Sequence, residues 1–115
     1  MIEKVILDYL NDQLNVEVYM EMPDTADDGG SFVVVERTGS RKENCVYEST
    51  FAFQSYAPSL YEAASLNVLV EAAVESLTTL NEISAARLNS SYNFTDTATH
   101  QYRYQCVFDI THFER

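Results

Sequence analysis

Apolar and polar positions over the first third of the chain predict one helix and two strands. Residues 2–14 place apolar side chains at helical spacing, with Glu3, Lys4 and Asp8 on the polar side. Residues 16–22 alternate in the manner of a short strand. The segment PDTADDGG, residues 23–30, is dense in turn-forming residues and predicts a turn or a mobile loop. Residues 32–38 contain a Val-Val-Val run, which predicts a strand covered on both faces.

The middle of the chain predicts a hairpin and then a long helix. A turn over residues 39–44 is expected to join strand 32–38 to a second strand over 45–56. Ser59 and Glu62 have the spacing of a capping box, so a helix is predicted to begin there and to run to about residue 80. The predicted buried stripe of this helix is Leu66, Leu69, Val70, Ala73, Leu77 and Leu80. The residues predicted to face outwards are Asn67, Glu71, Glu75 and Thr78.

The last third of the chain ends in a strand that is rich in aromatic residues. Residues 82–88 fit either a strand or a helix, with the strand favoured, and residues 89–99 are predicted to form a polar connection. In strand 101–113 one face is expected to lie in the core under the long helix: Tyr102, Tyr104, Cys106, Phe108 and Ile110. The opposite face is mixed and suits either solvent or a subunit contact: Arg103, Gln105, Val107, Asp109 and Thr111.

These elements predict a single α+β domain over residues 1–115. Its sheet is expected to be mainly antiparallel, with four to five strands. The N-terminal helix and the long helix are expected to pack on one face of that sheet.

Charge narrows the possible partners. The formal net charge of −11 argues against direct binding of a phosphate backbone, which depends on clustered Lys and Arg. One basic cluster exists, formed by Arg37, Arg41 and Lys42 in the predicted turn. It is interpreted as a solvated hairpin tip, or else as a tip that contacts an acidic neighbour such as another copy of this chain. Cys45 and Cys106 are predicted to be reduced thiols.

Targeting signals and membrane spans are not predicted from the sequence. The first residues mix acids into their apolar positions, unlike a signal peptide, and no apolar run approaches ~18 residues. The expected location is therefore the cytoplasm.

The sequence contains no strong pattern for catalysis, phosphate binding or metal binding. His112 and Asp109 differ by an odd number on a strand and are expected to point to opposite faces, while His100 would lie about 40 Å from His112 if the chain is extended. No nucleophile elbow and no Gly-rich loop with a Lys occurs. The acids of residues 24–28 fail the spacing of a calcium loop. No catalytic, cofactor-binding or metal-binding residue is predicted.

Two stretches carry a resemblance that covers nearly the whole chain. FAFQSYAPSLYEAASLN, residues 51–67, and YNFTDTATHQYRYQ, residues 92–105, with VEVYMEMP and VVVERTG before them, resemble the phage and prophage tail terminator proteins, also called tail completion or head–tail joining proteins. The resemblance implies a structural protein of the virion and no enzyme. It implies a homo-oligomeric ring, a hexamer, that caps the head-proximal end of the tail tube, stops tube elongation and provides the head-docking surface.

The same resemblance implies the partners and the location. The partners are copies of the chain itself, the tail tube protein and a head-completion or connector protein. DNA would pass through the ring without specific binding, and no membrane or cofactor is involved. The protein would be found at the tail–head junction of the virion, and in the host cytoplasm before assembly.

Two groups of charged residues are assigned roles in this ring as hypotheses. An acidic ring would repel DNA phosphates and let DNA slide, so the lumen or ring faces are assigned to acids of the loop and the long helix. These acids are Asp24, Asp27, Asp28, Glu71 and Glu75. Arg37, Arg41 and Lys42 are assigned to contact with a neighbouring subunit or the tube. Two alternatives stay open: another head–tail neck or completion protein, and an acidic inhibitor that mimics DNA.

Overall fold

The computed structural model describes residues 1–24, 30–99 and 101–113. Within these residues the elements, in chain order, are α1 (Ile2–Gln13), β1 (Glu17–Tyr19), β2 (Phe32–Glu43), β3 (Val46–Ala57), α2 (Leu60–Glu75), a 3₁₀ turn (Ser76–Thr79), β4 (Ile83–Asn93) and β5 (Tyr102–Phe113). The strands form one sheet in the order β1-β2-β3-β5-β4. Only the β1–β2 pairing is parallel among these strands. The predicted α+β fold with its mainly antiparallel sheet is therefore confirmed.

The core lies between the sheet and the two helices. Alternation along β3 and β5 directs Phe51, Phe53 and Phe108 to the same side of the sheet, where all three are fully buried. The helix α1 adds a stripe of apolar residues, and α2 packs over β3 and β5. The buried members contributed by the helices are Ile2, Ile6, Leu10, Leu66, Val70, Ala73 and Val74. Neither helix in the described segments is both long and apolar enough for a membrane span.

The β2–β3 hairpin differs from its prediction. The run Phe32–Val35 is buried on both faces as predicted, but β2 continues to Glu43 instead of turning at residues 39–44. The chain turns at Asn44 and Cys45, which both have positive φ, at 51° and 68°. The turn signals of residues 39–44 accompany a register shift between Arg37 and Gly39, where the strand is irregular but does not end.

The start of α2 follows from its cap. Ser59 has extended backbone angles, and its Oγ accepts a hydrogen bond from the Glu62 backbone N–H at 3.2 Å. The Ser59 hydroxyl also donates to Glu62 Oε2 at 3.0 Å. The predicted cap is confirmed, although the Glu62 carboxylate accepts from the hydroxyl and not from the Ser59 backbone amide.

Loss of the cap gives a direct test of this helix boundary. Ser59→Ala removes the acceptor of the Glu62 N–H, so we expect the free energy of unfolding to fall by about 1 kcal/mol. Urea unfolding followed by circular dichroism measures it. Ser65→Ala, on an exposed position of the same helix, is the control and should not lower the midpoint, because alanine has the higher helix propensity. Equal effects of the two substitutions would contradict the assigned boundary.

The buried side of α2 is rotated relative to the predicted stripe. Leu66, Val70, Ala73 and Leu77 are buried as predicted, because they lie on one helix face. That face also includes Ala63, Asn67 and Val74, so the centre of the buried arc runs through Val70 and Val74. Two predictions were therefore wrong: Leu69 is exposed, and Asn67 is buried.

The C-terminal hairpin is longer than predicted. Residues 89–93 were assigned to a connection, but β4 continues through them to Asn93 and pairs with β5 throughout. At the outer edge of the described sheet β4 has two register shifts, between Ile83 and Ala85 and between Leu88 and Ser90. Such irregularities are typical of edge strands. In β4 they interrupt the alternation of apolar and polar residues from which the full strand could have been predicted.

Candidate functional site

The three basic candidates occupy two different environments. Arg41 and Lys42 lie on the exposed end of β2, where Arg41 is 3.2 Å from Glu48 and Lys42 lies over the Tyr47 ring at 5.4 Å. Arg37 lies in the interior of the strand and half-buried, so its assignment to a hairpin tip was wrong. The structure therefore leaves Arg41 and Lys42 as the basic pair that a partner can reach.

Arg37 belongs to a polar chain inside the subunit. Its Nη1 donates to both carboxylate oxygens of Glu3 on α1 at 3.3 Å. Its Nη2 donates to Ser40 Oγ at 2.8 Å and to Ser49 Oγ at 2.9 Å. Ser49 Oγ lies 2.7 Å from His112 Nε2, and both of these residues are fully buried. The chain therefore joins α1, β2, β3 and β5.

His112 and Asp109 lie on opposite faces of the sheet. His112 stacks on Tyr47 on the core side of the sheet, whereas Asp109 accepts hydrogen bonds from Thr50 and Asn89 on the other side. The prediction that His112 and Asp109 lie on opposite faces is confirmed. His100 lies outside the described residues. No three or more His, Cys, Asp or Glu side chains come together in a way that could hold a metal ion within residues 1–24, 30–99 and 101–113.

The acidic candidates do not form one cluster in the described segments. Asp24 is exposed beside a shallow groove, while Glu71 and Glu75 lie on α2. Glu75 is exposed, but Glu71 accepts hydrogen bonds from Asn67 at 2.7 Å and from Ser91 at 2.8 Å. Glu71 therefore links α2 to β4 within the subunit. Asp27 and Asp28 lie outside the described residues.

Side chains on the sheet face that no helix covers make several contacts with one another. Phe32 and Tyr56 stack with ring centroids 4.7 Å apart, and Arg103 donates to Tyr56 Oη at 2.9 Å. Arg103 also lies 4.4 Å from the Phe94 ring centroid. Gln105 is hydrogen-bonded to Gln54 and Tyr92. The polar side chains of Arg103 and Gln105 on this face of β5 therefore have hydrogen-bond partners within one subunit, while Tyr92 and Phe94 beside them remain 40% and 41% exposed.

The most prominent exposed apolar surface lies on α2. Its centre is formed by Tyr61, Val68 and Leu69, whose exposed fractions are 82%, 66% and 60%. Ser65 and Ala72 complete this surface, since they share the same side of the helix and are also exposed. We call these five residues the α2 outer face. Sequence reasoning missed it because α2 is apolar around most of its circumference, which hides the phase of its buried stripe.

A groove extends the α2 outer face toward the N-terminal helix. Leu69 and Ala72 line it on α2, and Leu14 and Val16 line it on the segment between α1 and β1. The groove is open and mixed in polarity. Its apolar lining residues extend the α2 outer face, and because the groove is open it does not enclose a small molecule.

The end of the β2–β3 hairpin combines charge with apolar area. Arg41 and Lys42 precede the turn, and Val46 follows it as the β3 partner of Phe113. The Phe113 side chain is 47% exposed. Cys45 lies in the turn and is exposed. We call Arg41, Lys42, Cys45, Val46 and Phe113 the hairpin end.

The two cysteines form no disulfide, and their thiols differ in accessibility. Burial, helped by the negative charge of Glu71, raises the pKa of the Cys106 thiol to about 12, so this thiol stays protonated and unreactive at neutral pH. Cys45 is exposed.

Thiol titration tests this difference. At neutral pH we expect an aromatic disulfide reagent to label one thiol per chain in the native protein and both thiols in denaturant. In Cys45→Ser the fast-reacting native thiol should disappear. Rapid labelling of Cys106 in the native protein would contradict the packing around β5.

Comparison with known proteins gives no assignment. No model of a known protein family matches the chain, and no curated protein matches it.

Proposed function

We propose that this protein is a phage or prophage tail terminator, which assembles as a ring, caps the head-proximal end of the tail tube and offers a surface to the head. The observation that carries the proposal is the α2 outer face. The side chains on the inner side of α2 are buried in the core, yet Tyr61, Val68 and Leu69 remain exposed. A contiguous exposed apolar surface on a small folded chain supports association with other proteins.

The charge of the chain fits a ring that DNA traverses. With a net charge of −11, such a ring would repel phosphate groups and not hold them. Exposed acids such as Asp24 are the candidates for the channel wall or the ring faces. Glu71 is less suited to that role, because its carboxylate already binds Asn67 and Ser91.

The sequence resemblance is what supports the specific role of a tail terminator. It extends over the strand and helix start at residues 51–67 and over the β4–β5 region at residues 92–105. In the structure the first stretch forms most of β3 and the start of α2, and the second includes the end of β4 and the start of β5. The proposed partners are copies of the chain, the tail tube protein and a head-completion or connector protein.

Purified components provide the test of this proposal. The protein is added to the polymerising tail tube protein of its source phage, and tube lengths are measured by negative-stain electron microscopy. We expect shorter tubes, with additional density at one end of each tube. An unrelated acidic protein of similar size is the control and should change neither property.

Unchanged tubes would favour the alternatives, which two further assays separate. Unchanged tubes combined with binding to the head connector would favour another neck protein. Unchanged tubes combined with inhibition of a DNA-cleaving enzyme would favour the DNA mimic. Either outcome would contradict the terminator role.

A further inference from the structure

The sheet has two edges at which no further strand is paired. β1 pairs with β2 only at residues 32–34, so residues 36–43 of β2 have no described strand on the side away from β3. At the opposite edge, β4 pairs with β5 alone among the described strands. Alternate residues of an edge strand direct their backbone N–H and C=O groups outwards. Each copy therefore offers a free strand edge on both sides of its sheet.

Both edges are accessible to a partner. In β2, residues 38–43 are all exposed. In β4, residues 87–93 are exposed except for Ser90, which is half-buried. The whole of β4 contains a single charged residue, Arg87, and no proline. A long edge strand with so little charge is a template for the addition of another strand.

Strand direction selects how the two edges meet. The β2–β3, β3–β5 and β5–β4 pairings are each antiparallel, so β2 and β4 run in opposite directions. When a second copy continues the sheet with its helices on the same side, its β2 therefore lies antiparallel to β4 of the first copy. In a closed ring this contact pairs both edges of every copy. Two-fold pairing of β4 with β4, or of β2 with β2, leaves the other edge open.

Charged side chains along the two edges match when the faces of the sheet are kept in phase. Arg87 is paired with Asp109, on the sheet face that no helix covers. Glu43 lies on the same face, because the adjacent Lys42 lies over Tyr47 on the helix-covered face. Placing Arg87 opposite Glu43 of the next copy therefore gives a cross-strand pair of opposite charges.

The same register brings an exposed aromatic ring to a glycine. β4 has an extra residue where its pairing with β5 shifts between Leu88 and Ser90, so Ser90 stands opposite Arg41 and Tyr92 opposite Gly39. Tyr92 is 40% exposed, and a Cβ added to Gly39 would meet no atom within 4 Å. The Tyr92 ring of one copy would therefore fill the open space over Gly39 of the next, in the way that aromatic side chains cover edge glycines.

We propose that residues 87–92 of β4 in one copy pair antiparallel with residues 39–43 of β2 in the next copy. The sheet then continues across each subunit boundary, and the outward backbone groups of the two edges bond to each other. The two edges differ, so the contact is heterologous and repeats around a ring. The proposal rests on the ring-forming function, and it leaves the α2 outer face free for another partner.

Disulfide cross-linking tests this pairing. Ser90→Cys and Arg41→Cys, combined in a Cys45→Ser background, place one thiol on each edge. Within one chain β3 and β5 separate the two positions by ~14 Å or more, which is too far for a disulfide. The variant is oxidised mildly in the presence of polymerised tail tube protein. We expect a ladder of cross-linked oligomers on denaturing gels, because every copy carries one thiol at each boundary.

Control variants test the register and the identity of the paired edges. Ser90→Cys with Glu36→Cys moves one thiol along β2 and should give no ladder. Ser90→Cys alone and Arg41→Cys alone should give no dimer. In the two-cysteine protein, Arg87→Glu should lower the ladder yield about fivefold, and Glu43→Arg added to it should restore the yield. Circular dichroism confirms that each variant is folded.

The outcomes decide this contact separately from the terminator role. A ladder that requires both cysteines and follows the charge exchange supports the contact. Dimers from either single cysteine would show that like edges pair about a two-fold axis, and would overturn it. The absence of a ladder, or an equal ladder from Ser90→Cys with Glu36→Cys, would overturn it as well. If a protein without the ladder still shortens tubes, the terminator role stands and the contact does not.

Discussion

Replacement of Phe53 by alanine is expected to lower the free energy of unfolding by about 3–5 kcal/mol. Phe53 lies on the central strand β3 and is fully buried. Its ring meets Phe108 edge-on, with centroids 6.0 Å apart, and lies 6.2 Å from Phe51. The substitution removes a ring from the core layer between the sheet and the helices, and because β3 and β5 are fixed by their ladder the cavity cannot close completely.

Denaturant unfolding of the variant measures this effect. Tyr61→Ala is the matched control, since it also removes an aromatic ring but from a side chain that is 82% exposed. We expect the control to change the free energy of unfolding by no more than about 0.5 kcal/mol. Similar losses in the two variants would show that the core is not centred on β3 and β5.

Replacement of Arg37 by methionine is expected to cost about 2–3 kcal/mol, because it leaves the Glu3 carboxylate without its cation in a half-buried site. The side chains of Arg37 and Glu3 are only 23% and 19% exposed. Ser49 also loses a donor, although it retains its contact with His112. The loss should therefore exceed that of a surface ion pair.

A double-mutant cycle with Glu3→Gln isolates this interaction. We expect Glu3→Gln combined with Arg37→Met to be less destabilising than the sum of the two single changes, because the uncompensated charge is removed. Lys4→Met is the control, because Lys4 pairs with Asp8 at an exposed site. Additive effects of Glu3→Gln and Arg37→Met would show that the two side chains do not interact in solution.

Strands and helices were predictable where one periodicity dominates. Alternation in β3 and β5 and the capping pair Ser59–Glu62 determine local structure through side-chain chemistry, and the structure confirms them. The extent of β2 was not predictable in this way. The second half of β2 contains residues that are typical of turns. The actual turn lies at Asn44 and Cys45 and depends on positive φ angles, which these two residue types do not require.

The candidate surfaces were only partly predictable, because they depend on how elements are rotated and paired. Leu69 was assigned to the core and forms part of the exposed surface, since a helix that is apolar on most sides can pack in several rotations. Arg37 was grouped with Arg41 and Lys42 by proximity in sequence. The strand places Arg37 against α1, and this tertiary contact has no signature in the local sequence.

Deletion of the gene from its source phage, followed by electron microscopy of an induced lysate, tests the terminator role most directly. We predict full heads beside unattached tails, with tubes of excessive or irregular length, and normal virions after complementation with the wild-type gene. A lysate of normal virions from the deletion strain would contradict the role.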